Sequence, residues 1–139
     1  MAKAAKSADL RSGFEKHLKQ TEGHVARLES IFESYNEKPT GKKCKGMEGV
    51  IEEGDEAAKE DYEGDAKDAA LIGAAQRVEH YEMAAYGTVR AMAEKLGDSK
   101  AVKLLSQTLQ EEKDTDEKLT ELAEKIPVEG GSKSTSAGH

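Results

Sequence analysis

The chain has 139 residues, 35% of them charged, and a formal net charge of −7. That length suits one compact domain with its own core, and an acidic balance without a basic stripe excludes a surface that tracks nucleic-acid phosphates. No apolar run approaches the roughly 20 residues that span a bilayer, and MAKAAKSADL lacks the apolar stretch of a secretion signal, so a cytoplasmic protein with neither nucleic acid nor membrane as partner is expected.

Ala, Leu, Glu and Lys dominate, with two Phe, four Tyr and no Trp, which favours helix over sheet. The first predicted helix runs from about Ser7 to Asn36, with Ser7 or Asp9 as N-cap and Pro39 with Gly41 marking the stop. Its inward stripe reads Leu10, Phe14, His17, Leu18, Thr21, Val25, Leu28, Ile31, Phe32 and Tyr35, a sustained helical repeat. A weaker segment follows from Cys44 to about Tyr62, with Met47, Val50 and Ile51 on one side and acidic residues crowding the other. Gly46, Gly49 and Gly54 each cost it about 1 kcal/mol of helix propensity, so a short helix that depends on packing is predicted. Its acidic side has no EF-hand spacing and reads as a solvated face. Cys44 is the single cysteine; with no disulfide partner and no zinc-motif neighbour in KKCKG, it is expected to be a small half-buried residue opening this helix.

The third predicted helix starts near Asp65 or Asp68 and ends at Gly97, its stripe being Leu71, Ala75, Val78, Glu82, Ala85, Val89, Met92 and Leu96. On another face Gly73, Ala84, Gly87 and Ala91 lack bulk, which suits close approach of a second helix and burial on two sides. Asp98 caps the last helix, which reaches about Ile126 before Pro127 and carries Val102, Leu105, Leu109, Glu112, Thr115, Asp116, Leu119 and Leu122 inward. Only Gly97 and Asp98 separate these two helices, so they must form an antiparallel pair. Residues 1–126 are thus expected to form one helical domain and the Gly/Ser-rich residues 127–139 a disordered tail.

Apolar stripes are informative where they are broken. His17, Gln20 and His24 share a face of the first helix, Glu79 and Glu82 lie one turn apart on the third, and Glu112 with Asp116 interrupts the last. Burying several carboxylates without a compensating positive charge would be incompatible with a marginally stable fold. Lys and Arg fall mostly on outer faces, so the compensation is either a divalent cation or partly protonated histidines. Carboxylates and imidazoles converging inside a bundle are the ligand set of di-iron and di-manganese sites. The plainer alternative places each Glu at the edge of its stripe, reaching water or an Arg such as Arg77 or Arg90, and each His as a hydrogen-bonded core residue. His80 points away from the Glu82 stripe, could face Gly73 and Ala84, and is read either as structural or as a residue that supports the ligands from outside.

The stretches FEKHLKQTEGHVARLESIF, CKGMEGVIEEGDE, DAALIGAAQRVEHYEMAAYGT and LLSQTLQEEKDTDEKLTELA resemble the YciE/YciF-like branch of the ferritin-like superfamily over about residues 7 to 123. The resemblance implies a ferritin-like bundle, a dimer, a dinuclear metal site and stress-associated expression, without a well-established reaction. Glu79, Glu82 and Glu112 match the family, whereas Gln20 stands where a carboxylate is usual and is a weaker ligand. A preceding family helix with a further inward Glu has no counterpart here, so the ligand set is short unless His17, His24, Asp116 or a partner chain completes it.

The expectation is therefore an all-α, ferritin-like four-helix bundle of three long helices plus one short, Gly-rich helix. Its metal ligands are drawn from Glu79, Glu82, Glu112, Asp116, His17, Gln20 and His24. The expected cofactor is a divalent transition metal, iron or else manganese, with oxidation of Fe(II) by oxygen or peroxide as the chemistry if the metal is iron. The rival is a non-catalytic assembly protein with a vestigial metal site, and both readings predict a homodimer or larger homo-oligomer, because one side of the core lacks its cover.

Overall fold

The structure, a computed structural model, describes residues 1–127. Apart from Pro127, the tail expected to be disordered lies outside the described residues. A turn of 3-10 helix at Ala2–Ala4 leads into α1 (Ala8–Ser34), α2 (Lys45–Lys59), α3 (Ala66–Lys95) and α4 (Ser99–Glu124). Among the described residues there is no strand, and no helix is long and apolar enough to cross a membrane.

The long helices begin and end on local chemistry. The Ser7 side chain accepts from the Leu10 N–H and the Asp98 side chain from the Ala101 N–H, each satisfying an amide with no partner in its own helix. At the end of α1, Asn36 takes a positive φ of 53°, and the amides of Asn36 and Glu37 turn back to the carbonyls of Glu33 and Phe32. Gly97 repeats the device after α3 at φ 70°, with its own amide and that of Asp98 bonded to Glu94 and Ala93. Asn36, rather than Pro39 and Gly41, thus stops the first helix. Asp65 precedes α3 but makes no side-chain cap bond, and Asp68 does something the sequence reading missed. Its buried carboxylate accepts from the backbone N–H groups of Lys6 and Ser7, both at 2.7 Å, tying the start of α1 to α3.

The antiparallel α3–α4 pair is the centre of the molecule; α2 packs on α3 and α1 on α4. The third helix is therefore flanked on two sides, with Gly54 of α2 buried beside Ala74, but not on the Gly73, Ala84, Gly87 and Ala91 face where close approach was expected: a side chain at Gly73 or Gly87 would meet nothing within 4 Å. One apolar cluster gathers Leu10, Phe14, Leu71, Ile72, Ala75, Leu119 and Leu122. A second, at the α3–α4 turn, gathers Ala93, Ala101 and Leu105 with Leu28, Ile31 and Tyr86. The polar residues of interest lie between the two along each helix.

Three expectations need correction. Leu18, Val25, Phe32 and Tyr35 of the α1 stripe are exposed, Leu18 to 62%, because α1 rests on α4 along a narrower arc centred on Leu10, Phe14 and His24. The second half of the α3 stripe is likewise exposed at Ala85, Val89, Met92 and Leu96, the last to 74%. The buried line of α3 runs through Leu71, Ala75 and Glu79 to Ala93 instead. Cys44 is exposed rather than half-buried and lies 3.0 Å from the Tyr81 hydroxyl.

Candidate metal centre

Three helices carry the centre. His17 and His24 lie two turns apart on α1, Glu79 and Glu82 one turn apart on α3, and Glu112 faces them from α4. One ligand atom from each of His17, Glu79, Glu82 and Glu112 lies within 4.8 Å of all the others. His17 Nε2 is 2.9 Å from Glu79 Oε1 and 3.7 Å from Glu112 Oε2. Glu79 and Glu112 are 2% and 0% exposed, so both carboxylates have left water almost completely.

Hydrogen bonds do not repair that loss. Glu79 Oε2, both oxygens of Glu112 and Nδ1 of His24 are buried without a hydrogen-bond partner. His24 Nδ1 does lie 2.9 Å from Glu112 Oε1, but outside hydrogen-bond geometry, so the contact is ionic at best. Four unpartnered polar atoms in one spot is unusual in a native interior, and a cation or water placed among them would relieve it.

The electrostatics follow from burial. Burial first, then repulsion from Glu82 and Asp116, pushes the Glu79 carboxyl up to about 7. Burial and the neighbouring Glu112 push Glu82 up to about 7 as well, and Glu112 is raised chiefly by burial. Burial lowers His24, but the carboxylates of Glu112 and Glu111 outweigh it, so the imidazole is raised overall. Tyr86, whose ring meets that of His24 edge-on at 6.3 Å, is pushed up to about 12 by burial and by Glu82.

A second layer holds the first. His24 Nε2 is 2.8 Å from Glu111 Oε2, and Arg27 grips the same carboxylate in a fork at 2.9 and 2.8 Å while also donating to Thr108. The fork holds Glu111 down to about 2, so it stays anionic beside His24. Thr115 Oγ1 touches His17 Nδ1 at 3.1 Å.

Of the seven residues expected as ligands, His17, Glu79, Glu82 and Glu112 converge, and His24 touches Glu112 from one side. Gln20 and Asp116 stand outside the group. Gln20 lines a surface cavity with Thr115 and Lys118, and Asp116 accepts from the Gln76 amide at 3.2 Å and lies 3.1 Å from the Nε2 of exposed His80. Arg27, Glu111, Thr108 and Tyr86 were not foreseen. An arginine one turn beyond His24 on the inward side of α1 was the available signal, and the assumption that cations face outward hid it. The donor set of three carboxylates and one imidazole, with buried oxygens lacking partners, could hold a metal ion.

Comparison with known proteins places this geometry. The family described as Domain of unknown function (DUF892) matches residues 1–130. Protein YciF of Escherichia coli strain K12 is 48% identical over 124 residues, which cover 88% of this chain and 75% of the relative. The crystal structure of that E. coli stress protein superposes with a TM-score of 0.83 at 49% identity, covering 88% of this chain and 77% of the other. YcfI of Rhodopseudomonas palustris, named only as a candidate structural protein, superposes with a TM-score of 0.80 at 40% identity, covering 86% and 76%.

Proposed function

We propose that this chain, which belongs to the DUF892 family, is a stress-associated, ferritin-like metal protein of the cytoplasm that holds iron or manganese among His17, Glu79, Glu82 and Glu112. Oxidation of Fe(II) by oxygen or peroxide is the reaction we assign to it. The carrying observation is the cluster of four ligand atoms within 4.8 Å whose buried oxygens have no other partner. The stress association rests on the description of the E. coli relative as a stress protein.

When bound, the metal supplies one-electron redox chemistry and Lewis acidity. The chain's own residues do the rest. Glu79, Glu82 and Glu112 would hold the metal as carboxylates, supplying negative charge that the burial alone disfavours. His17 offers Nε2 as a terminal nitrogen donor. His24, braced by Glu111 and Arg27, holds Glu112 from behind. The apolar clusters on either side keep water from the carboxylates.

Elemental analysis after anaerobic loading with Fe(II) or Mn(II) tests the binding. A stoichiometric metal content that collapses in Glu112→Ala is expected, and trace metal unchanged by that substitution would sink the reading. Stopped-flow absorbance after mixing the Fe(II)-loaded protein with oxygen or peroxide tests the reaction. The second reading, an oligomeric assembly protein with a vestigial site, is favoured by the exposed apolar side chains along α1 and α3 and requires the metal content to be negligible.

A further inference from the structure

Thr115 occupies the middle of α4, one turn beyond Glu111. Its hydroxyl carries a single proton and two lone pairs. Thr115 Oγ1 is 3.0 Å from the carbonyl oxygen of Glu111, in donor geometry, and a carbonyl can only accept. With its one proton committed there, Oγ1 has only lone pairs left for His17 Nδ1, which lies 3.1 Å away. The ring nitrogen must then be the donor. An imidazole that carries its proton on Nδ1 presents a lone pair at Nε2, which in the metal-free protein accepts the carboxyl proton of Glu79 across the 2.9 Å to its Oε1, with Glu112 Oε2 3.7 Å away.

We propose that Thr115 is a positioning residue for the centre: by donating to the Glu111 carbonyl and accepting from His17 Nδ1, it fixes the ring in the tautomer and orientation whose Nε2 lone pair faces Glu79, Glu82 and Glu112. The tautomer assignment stands on the hydrogen bonds alone, and its consequence for ligation rests on the metal-binding reading above. His17 gains from such a clamp because it is only part-buried, at 17% exposure, and its edge-on neighbour His24 lies 6.3 Å away between ring centroids. Outer hydrogen bonds of this kind set both ring orientation and donor strength in metal-binding histidines.

The test uses the whole chain, with Thr115→Val removing the hydroxyl at nearly constant shape and Thr115→Ser restoring it. Long-range proton–nitrogen correlation spectra of the metal-free protein, recorded below the pH at which the Glu79 carboxyl, raised to about 7, ionises, report the His17 tautomer. Wild type and Thr115→Ser are expected to hold the proton on Nδ1, and Thr115→Val to lose that preference. Cobalt(II) added alone is expected to bind about 10- to 100-fold more weakly to Thr115→Val, with an altered visible spectrum, and to recover in Thr115→Ser. A proton on Nε2 in the wild type overturns the assignment, a measurement that needs no variant to fold. Unchanged tautomer and cobalt affinity in a folded Thr115→Val overturns the positioning role. If no protein binds cobalt while the tautomer pattern holds, the metal reading fails and the Thr115–His17 geometry survives.

Discussion

At Glu112 a carboxylate with 0% exposure meets Glu79, at 2%, and the part-buried Glu82, and the cost of that arrangement should be visible in the metal-free protein. Burial raises Glu79 and Glu82 from 4.5 to about 7 and moves Glu112 the same way. In the window between those values the folded state binds more protons than the unfolded chain, so stability must fall as pH rises through it. Glu111 works in the opposite sense, but its contribution is lost only as pH falls toward about 2, below that window. Denaturant melts of metal-free protein across this range should therefore lose stability toward neutral pH, and Mn(II) should restore it; a flat profile would contradict the burial argument. Arg27→Ala leaves Thr108 without its arginine donor and Glu111 with His24 alone and should cost roughly 1–3 kcal/mol, read as a lowered denaturation midpoint. His17, Glu82 and Glu112 were legible in the sequence because each interrupts an apolar repeat, and His24 and Glu79 because each shares that face one or two turns away. Glu111 and Arg27 were not, since their partnership exists only once α1 lies on α4, and Glu111 sits a third of a turn off the α4 stripe.

The elements were legible where punctuation is local: Ser7, Gly97 and Asp98 act within a few residues of themselves, and the helices they bound came out as read. Contacts that tie one element to another were invisible. Lys67 is one such residue, buried at 6% with its ammonium bonded to the carbonyls of Ala57, Ala58 and Glu60 at the end of α2. It gives that short helix a cationic stop exactly where its last carbonyls lack partners. Replacing it by Met should loosen the C-terminal turn of α2, seen as faster amide exchange there before any change elsewhere. The glycines of α2 separate propensity from packing. A side chain at Gly49 meets nothing within 4 Å, whereas at Gly46 it meets the Tyr81 ring. Gly49→Ala should stabilise the protein by up to about 1 kcal/mol, and Gly46→Ala should give less or reverse sign because Tyr81 must move and break its contact with Cys44. Equal gains from both in thermal melts would show that α2 does not rest on Tyr81.

At the scale of the whole molecule the misread stripes become the main observation. Leu18, Val25, Phe32 and Tyr35 on α1 and Val89, Met92 and Leu96 on α3 are exposed in one chain, yet they keep the helical spacing of an inward face. Phe32, Tyr35 and Val89 meet around a cavity at one end, lined also by Leu28, Ile31, Leu105 and Glu37. The spacing is that of a buried pattern, and a surface that buries it would have to come from outside the single chain. A second copy is the occupant we expect, because a two-fold pairing covers both exposed faces with the same residues. Covering such a face should take about 800 Å² from each partner or more, the scale of a stable interface. Sedimentation equilibrium at micromolar concentration should then report a dimer of the 15.0 kDa chain. Val89→Asp, which forces a charge into the covered face without touching any residue of the metal cluster, should shift it to monomer and lower its melting temperature in a concentration-dependent way. A wild-type chain that stays monomeric, folded and cooperative over the whole range would show instead that these side chains face water, and the exposed stripe would then be a stability cost that the buried halves of α3 and α4 carry alone.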